Sequence, residues 1–274
     1  MATIRAIIAD HPAARRAELS RLVCEAMDWR SPGDRLKDMS CRVAMLRMQK
    51  DGHIQLPPPR QSNGNGKPYL RRTLWAEPAV FPPFACAGDI ADLHLQLTSR
   101  DQSHLWNEYI DRYHYLGYQP LPGAQLRYMA WAQGQVVALL GFGAAAWTTA
   151  PRDRWIGWTP AQRARHLHLV INNARFLILP WVSCRNLASR ILGMAVRRLA
   201  QDWHHCYGYL PVLAETFVEI SRFQGTCYKA ANWTCLGETQ GMGKLGRHKL
   251  QVPKKTVWTY PLVANFREHL CSID

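Results

Sequence analysis

The apolar positions change period along the chain. Over its first fifty residues they recur every three or four places: Ile4, Ile7 and Ile8 in "TIRAIIAD", ending at His11-Pro12, then Leu19, Leu22, Val23 and Ala26 in "AARRAELSRLVCEAM". That spacing puts each set on one face of a helix. A third segment, "SPGDRLKDMSCRVAMLRMQKDG", has Ser31 and Asp34 as candidate caps, an apolar stripe of Leu36, Met39, Val43 and Leu46, and Gly52 as a stop. "HIQLPPP" follows as a short extended stretch. Three short helices followed by a strand predict a winged helix-turn-helix domain over residues 1–60. Its third helix then turns Arg35, Lys37, Arg42, Arg47 and Lys50 outward, where long cationic side chains reach phosphates and base edges. A small helical bundle with a solvated basic face is the alternative.

Residues 61–99 are punctuated rather than periodic. "PPPRQSNGNGKPYLRR" is rich in proline, then in Asn and Gly, then basic. It reads as a flexible linker or as the tip of a wing, with Arg60, Lys67, Arg71 and Arg72 placed to follow phosphates. "EPAVFPPFACAG" leads into a domain over 100–274 in which the two periods alternate. "LWNEYIDRYHYLG" is helical, and "LRYMAWAQGQVVALLGFGAAAW" is a hairpin turning at Gln133-Gly134. A helix opening near Thr159-Pro160 and a strand at 174–180 follow, then a long helix with Leu187, Ile191, Leu192, Ala195 and Leu199 on one face. "LPVLAETFVEI" is a strand, the stretch 216–241 carries a short helix and another strand, and "TVWTYPL" closes the order. The succession α, β, β, (α), β, α, β, α, β, β predicts an α+β fold with a mixed sheet. No internal repeat is visible.

Composition adds a partner. With 47% apolar residues in 274 the chain can bury a core, but 34 Lys+Arg against 20 Asp+Glu leave a net charge of +14. Such an excess points to a polyanion, with nucleic acid, and DNA in particular, the expected one. A generally basic protein that meets polyanions nonspecifically is the plainer reading. No stretch reaches the roughly 18 apolar residues of a membrane span. The apolar run of "MATIRAIIADHPAARR" is too short for a signal peptide, so a cytoplasmic protein with eight reduced cysteines is expected. There is no CxxC pair, and His204, His205 and Cys206 would diverge at a helix end, so no metal site is expected.

The element order resembles the acetyltransferase fold of the GNAT superfamily over roughly residues 100–262. The resemblance implies a central strand that leads into a long helix at a splayed opening in the sheet. It also implies a loop whose backbone N–H groups hold the pyrophosphate of acetyl-CoA or a related acyl-CoA. The matching loop here is "PWVSCRNLASR", with Arg185, Asn186, Ala188 and Ser189 as the cofactor candidates, but it lacks the family's glycines. "Tyr228-Lys229-Ala230-Ala231-Asn232-Trp233" is similar to the family's tyrosine before a Gly-Phe strand start, with Asn-Trp in its place. The resemblance gives Tyr228 the role of acid toward a departing thiolate; a half-buried tyrosine fixing helix to sheet is the alternative. The words "RDRWIGW", "NNARFLILPWV", "NLASRILG", "LAETFVE", "RFQGTCYKAANW" and "GETQG" together resemble a narrower group, the DruA family, from about residue 100 to the end. That resemblance implies a bacterial anti-phage or transposon setting, with transposase or defence-system proteins as partners.

Three further groupings carry candidate chemistry. Glu215 and Glu219 fall on one face of a strand, with Arg222 following, and would serve as a general base or as Mg²⁺ ligands; a carboxylate balancing Arg175 or Arg222 is the alternative. Arg152, Arg154, Trp155 and Trp158, followed by Arg163 and Arg165, would stack bases and hold phosphates, or else pin a loop by burying the tryptophans. "GETQGMGKLGRHKLQVPKK" is glycine-rich and then basic, offering Lys244, Arg247 and Lys249 to phosphates, or is a solvated loop. Asn172, Asn173 and Arg175 would read a base or a cofactor, or satisfy backbone groups at an irregular turn. The sequence thus predicts a DNA-binding protein whose GNAT-like domain adds a second nucleic-acid surface. An acyltransferase or other nucleobase-modifying enzyme with Tyr228 as acid and Glu215 or Glu219 as base is the alternative, and a metal-dependent nuclease the third reading.

Overall fold

The computed structural model describes residues 2–30, 36–59, 70, 72–121, 123–241 and 252–272. The chain divides into two compact units, Met1–Tyr69 and Leu70–Asp274.

In the first unit α1 (Ala2–Asp10), α2 (Arg16–Ala26) and α3 (Asp38–Lys50) close over Ile4, Leu19, Val23, Cys24, Cys41, Met45, Ile54 and Leu56. Arg5 Nε donates to the His53 carbonyl (3.0 Å) and Arg16 Nε to that of Pro57 (2.6 Å), fastening the stretch after α3 against the helices. That stretch forms no strand among the described residues, and most of the expected wing tip, residues 60–69 and 71, lies outside them. The inward face of α3 also differs from the expected stripe. Cys41 and Met45 are buried, with Met48 half-buried, whereas Met39, Val43 and Leu46 are 63%, 48% and 42% exposed. The helix is apolar on two sides, and the softer Cys/Met row is the one that packs.

The second unit is an α+β fold. In chain order it runs β1 (Phe84–Cys86), β2 (His94–Leu97), α4 (Ser103–Tyr113), β3 (Leu126–Ala132), β4 (Gln135–Ala144), α5 (Ala150–Ile156), α6 (Pro160–His166) and β5 (Val170–Ile178). There follow β6 (Cys184–Arg185), α7 (Leu187–Tyr207), β7 (Leu213–Glu219), α8 (Thr226–Ala230), β8 (Thr234–Glu238), β9 (Lys255–Pro261) and α9 (Phe266–Leu270). The main sheet has the order β2-β3-β4-β5-β7-β9-β8, and β1 pairs separately with β6. Gln133 and Gly134, with φ of +51° and +68°, make the tight β3–β4 turn, a backbone that matches the strands' twist. All five apolar residues expected on the long helix are buried along α7. The segment expected as a linker contributes β1 and β2, and β5 begins at Val170, four residues before the expected strand.

Among the described residues β5 and β7 are the one parallel pair of the main sheet, joined through α7. They are in register only from Val170–Asn172 against Leu213–Glu215 and then part. β5 also carries a bulge: Gly141 faces Arg175 and Phe142 faces Asn173, leaving Ala174 as the extra residue. A bulge bends the strand and re-aims its side chains. The result is a mixed sheet that opens between its two parallel strands.

Candidate functional site

The parting of β5 and β7 opens a cavity of about 610 Å³. Its walls are the end of α4 with the following turn (Tyr113–Leu116), residues 172–178 of β5, Thr216–Glu219 of β7, and the stretch from Phe223 to Tyr228 that enters α8. Lys255, at the start of β9, Ala188, in the first turn of α7, and Pro180 complete the lining. A second hollow, of about 660 Å³ in the first unit, holds none of the expected site residues.

Tyr228 lies on the inner wall, 7% exposed. Its hydroxyl donates to Asn173 Oδ1 at 2.8 Å, while Thr216 Oγ1 donates to the Asn173 carbonyl at 2.9 Å. Burial pushes the Tyr228 pKa up, so the proton stays on the oxygen. Asn173 in turn gives Nδ2 to the carbonyls of Gly141 (3.3 Å) and Arg175 (3.0 Å), satisfying backbone acceptors on both sides of the bulge. The irregular-turn role fits Asn173. Asn172 and Arg175 are lining residues as well, and Asn172 Oδ1 and Arg175 Nε are buried with no hydrogen-bond partner among the described residues.

The two glutamates separate. Glu219 lines the cavity, with Oε1 accepting from Arg222 Nε (2.9 Å) and Ser221 Oγ (3.0 Å). Glu215, four residues earlier on the same strand, is wholly buried against α5 and does not line the cavity. There it takes Arg152 Nη1 at 2.9 Å and the Ala146 N–H at 2.9 Å. Burial raises its pKa, and Arg152 opposes that rise. Its oxygens are thus engaged by the Ala146 N–H and by an arginine 63 residues away in sequence, the balancing role that was the alternative for these carboxylates, with Arg152 as the partner.

The expected stacking surface is engaged in the same way. Arg152 is buried between Glu215 and Asp153, and its guanidinium lies over the Trp158 ring. Trp158, 7% exposed, donates Nε1 to Asp153 Oδ1 at 3.1 Å. Trp155 stacks on Phe266 with ring centroids 5.0 Å apart and has Arg267 over its face. Arg163 pairs with Asp153 at 3.4 Å and reaches the exposed Trp147 ring. Of this group Arg154 is exposed. On α3, Lys37, Arg47 and Lys50 are exposed and in no ion pair among the described residues, whereas Arg42 pairs with Asp38 at 3.3 Å. Arg72 is exposed. Arg35, Arg71, Lys244, Arg247 and Lys249 lie outside the described residues, as do Arg60 and Lys67.

Of the cofactor candidates Ala188 alone lines the cavity. Arg185 belongs to β6, whose pairing with β1 engages the backbone of that loop. Asn186 takes φ of +63° and gives Nδ2 to Cys86 Sγ at 3.6 Å, and Ser189 Oγ donates to the Asn186 carbonyl at 3.0 Å. Among the described residues no three His, Cys, Asp or Glu side chains converge on a metal position, and no helix is long and apolar enough to cross a membrane.

Sequence reasoning passed over the turn after α4. His114 stacks on Tyr115 with centroids 4.9 Å apart, and its Nδ1 accepts the Leu116 N–H at 3.2 Å. Burial first, and then the Arg175 charge, push the His114 pKa down to about 4, so the ring is neutral at pH 7. Arg222 covers the Tyr115 ring at 5.0 Å, and Phe223 packs against its edge. "YHYLG" carried the signal, an aromatic-histidine cluster closing a helix.

Residues 48–251 match the family model described as Druantia protein DruA. Among solved structures the chain is similar to a spermidine N-acetyltransferase SpeG chimera from Vibrio cholerae and hSSAT, at 10% identity over 63% of this chain and 96% of that one, TM-score 0.41. It is similar also to a GNAT-family acetyltransferase from Streptococcus pneumoniae (11% identity, 62% and 99% covered, TM-score 0.41). An N-acetyltransferase from Staphylococcus aureus Mu50 gives 12% identity, 63% and 100% covered, and TM-score 0.39. No curated protein sequence matches.

Proposed function

The chain belongs to the DruA family, and from that premise we propose that it is a DNA-binding protein working in bacterial anti-phage defence or beside a mobile element. The observation that carries the reading is the outward face of α3. There Arg47 and Lys50 stand exposed beside Met39, Val43 and Leu46. Cations supply phosphate contacts, and exposed aliphatic groups between them suit base edges and thymine methyls, the mixture a groove-reading helix needs. The net charge of +14 supports a polyanion partner. A winged-helix arrangement of the first unit belongs to this proposal.

The test is binding to labelled duplex and single-stranded DNA over a salt series. Arg47→Gln and Lys50→Gln should each weaken binding and flatten the plot of log K against log salt by about 0.9 for each duplex phosphate that the variant no longer neutralises. Salt-independent binding, or no binding, would overturn it.

A second reading is favoured by one observation: Tyr228 and Glu219 line the same cavity. On it the second unit modifies a substrate, with the Tyr228 hydroxyl as acid and Glu219 as base. Tyr228→Phe would then abolish turnover of a candidate acyl donor and leave DNA binding intact.

A further inference from the structure

The fold answers two of its sequestered arginines with carboxylates and leaves a third, half-buried one without. Arg152, fully buried, is held by Glu215 and Asp153. Arg112, whose side chain is 10% exposed, is held by Glu77 and Glu108, both at 2.6 Å. Arg175 has no such answer. Nη1 donates to the carbonyl of its neighbour Ala174 at 2.8 Å, Nε is buried without a partner, and no carboxylate pairs with it among the described residues. Burial lowers its pKa, the mark of a charge held out of water without compensation. An unpaired charge held partly out of water costs stability, and such a group in a cleft is a candidate for contact with a ligand.

The surroundings say what that partner is. Lys255, in register with Glu219, adds a second cation to the lining and is in no ion pair among the described residues. Glu219 Oε1 is taken by Arg222 and Ser221, and no ion pair joins Glu219 to Arg175 among the described residues. Asn172, another lining residue, has its Oδ1 acceptor buried without a hydrogen-bond partner among the described residues. Tyr115, Phe176 and Phe223 give the walls aromatic surface. The volume, about 610 Å³, lies in the usual range for small-molecule sites.

We propose that this cavity binds a small molecule bearing a carboxylate or phosphate on a flat, largely aromatic body that also carries an N–H or O–H donor. Arg175 holds the anion through its free donors, Lys255 adds attraction, Asn172 Oδ1 takes the ligand's donor, and the aromatic walls hold the body. The inference is independent of DNA binding at α3 and requires no catalytic step.

The experiment has two arms on the full chain. The first needs no ligand: Arg175→Met replaces an unanswered charge with an apolar side chain of similar length and should raise the melting temperature. A lowered one would make Arg175 a structural residue and overturn the proposal. The second titrates wild type, Arg175→Met and Arg175→Lys by calorimetry with inorganic phosphate, benzoate, anthranilate and adenosine monophosphate. Wild type should bind at least one aromatic anion more tightly than inorganic phosphate. Arg175→Met should weaken that binding roughly tenfold or more, the equivalent of removing one charge-assisted hydrogen bond, with Arg175→Lys between the two. Preference among benzoate, anthranilate and the nucleotide distinguishes carboxylate from phosphate and tests the Asn172 contact, since anthranilate adds an amine that benzoate lacks. If no probe binds wild type, or if Arg175→Met binds every probe unchanged, the proposal fails. DNA affinity measured on the same variants should not move.

Discussion

Replacing Glu215 by Gln tests whether its charge belongs to the fold or to chemistry. The side chain is fully buried and receives two hydrogen bonds at 2.9 Å, from Arg152 Nη1 and from the Ala146 N–H. Gln keeps the shape and one acceptor oxygen but removes the negative charge. Arg152 then retains Asp153 alone, whose carboxylate also serves Arg163 and Trp158. Breaking a buried pair from one side costs about 3–5 kcal/mol. Because Asp153 still covers part of the guanidinium, the lower end applies, about 3 kcal/mol. For a unit of this size that moves the melting temperature down by roughly 6–12 °C. Calorimetry reads the shift directly. The double variant Arg152→Met with Glu215→Leu should recover most of the loss, since neither charge is then left alone. A change below about 2 °C for Glu215→Gln, or a double variant worse than both singles together, would refute the reasoning and return Glu215 to the candidate catalytic groups.

Further outcomes follow from the same structure. Gly225 opens α8 at φ +73°, and a methyl there would sit 2.7 Å from the Trp258 ring, so Gly225→Ala should lower stability by about 1–3 kcal/mol by calorimetry. On α3, Met45→Ala should cost about 2–5 kcal/mol in a urea melt while Leu46→Ala stays within about 0.5 kcal/mol, the reverse of what the aliphatic stripe implies. His114 has its pKa at about 4 in the fold against an ordinary 6.5, so between those values the unfolded chain takes up a proton that the fold refuses. Stability therefore falls as pH drops through that window, by as much as about 3 kcal/mol, and His114→Phe should flatten the dependence in urea melts at pH 7 and pH 4.5.

The sheet was legible where one segment carried its own signal. Gln133-Gly134 between two apolar runs announces the β3–β4 turn, and α7 repeats its apolar face along its length. Partners distant in sequence were not legible. β1 is three residues long and exists because β6 lies beside it, a pairing that no local pattern encodes. β2 did leave a trace: "HLQL" alternates, but its proline-rich approach hid it. On α3 two apolar rows compete. Periodicity favours Leu36, Met39, Val43 and Leu46, while the fold buries Cys41 and Met45, and only the neighbouring α2 decides between them.

The candidate site shows the same division, with charge as the deciding quantity. Sequence offers Arg152 and Arg175 on equal terms: each lies in a polar stretch beside aromatics, and each suits an anion. In the fold Arg152 leaves water wholly and Arg175 in part. Arg152 meets two carboxylates and becomes part of the core, taking Glu215 and Trp158 with it. Arg175 sits where β5 has parted from its neighbouring strand and has bulged, so no element among the described residues brings it a carboxylate. The splay that separates β5 from β7 therefore makes the cavity and leaves its cation unanswered in one stroke. A substitution that restored an acidic partner, Thr226→Asp on the cavity wall, should stabilise the ligand-free chain and weaken anion binding together. A variant that moved one without the other would show that the charge of Arg175 is not what the cavity is built around.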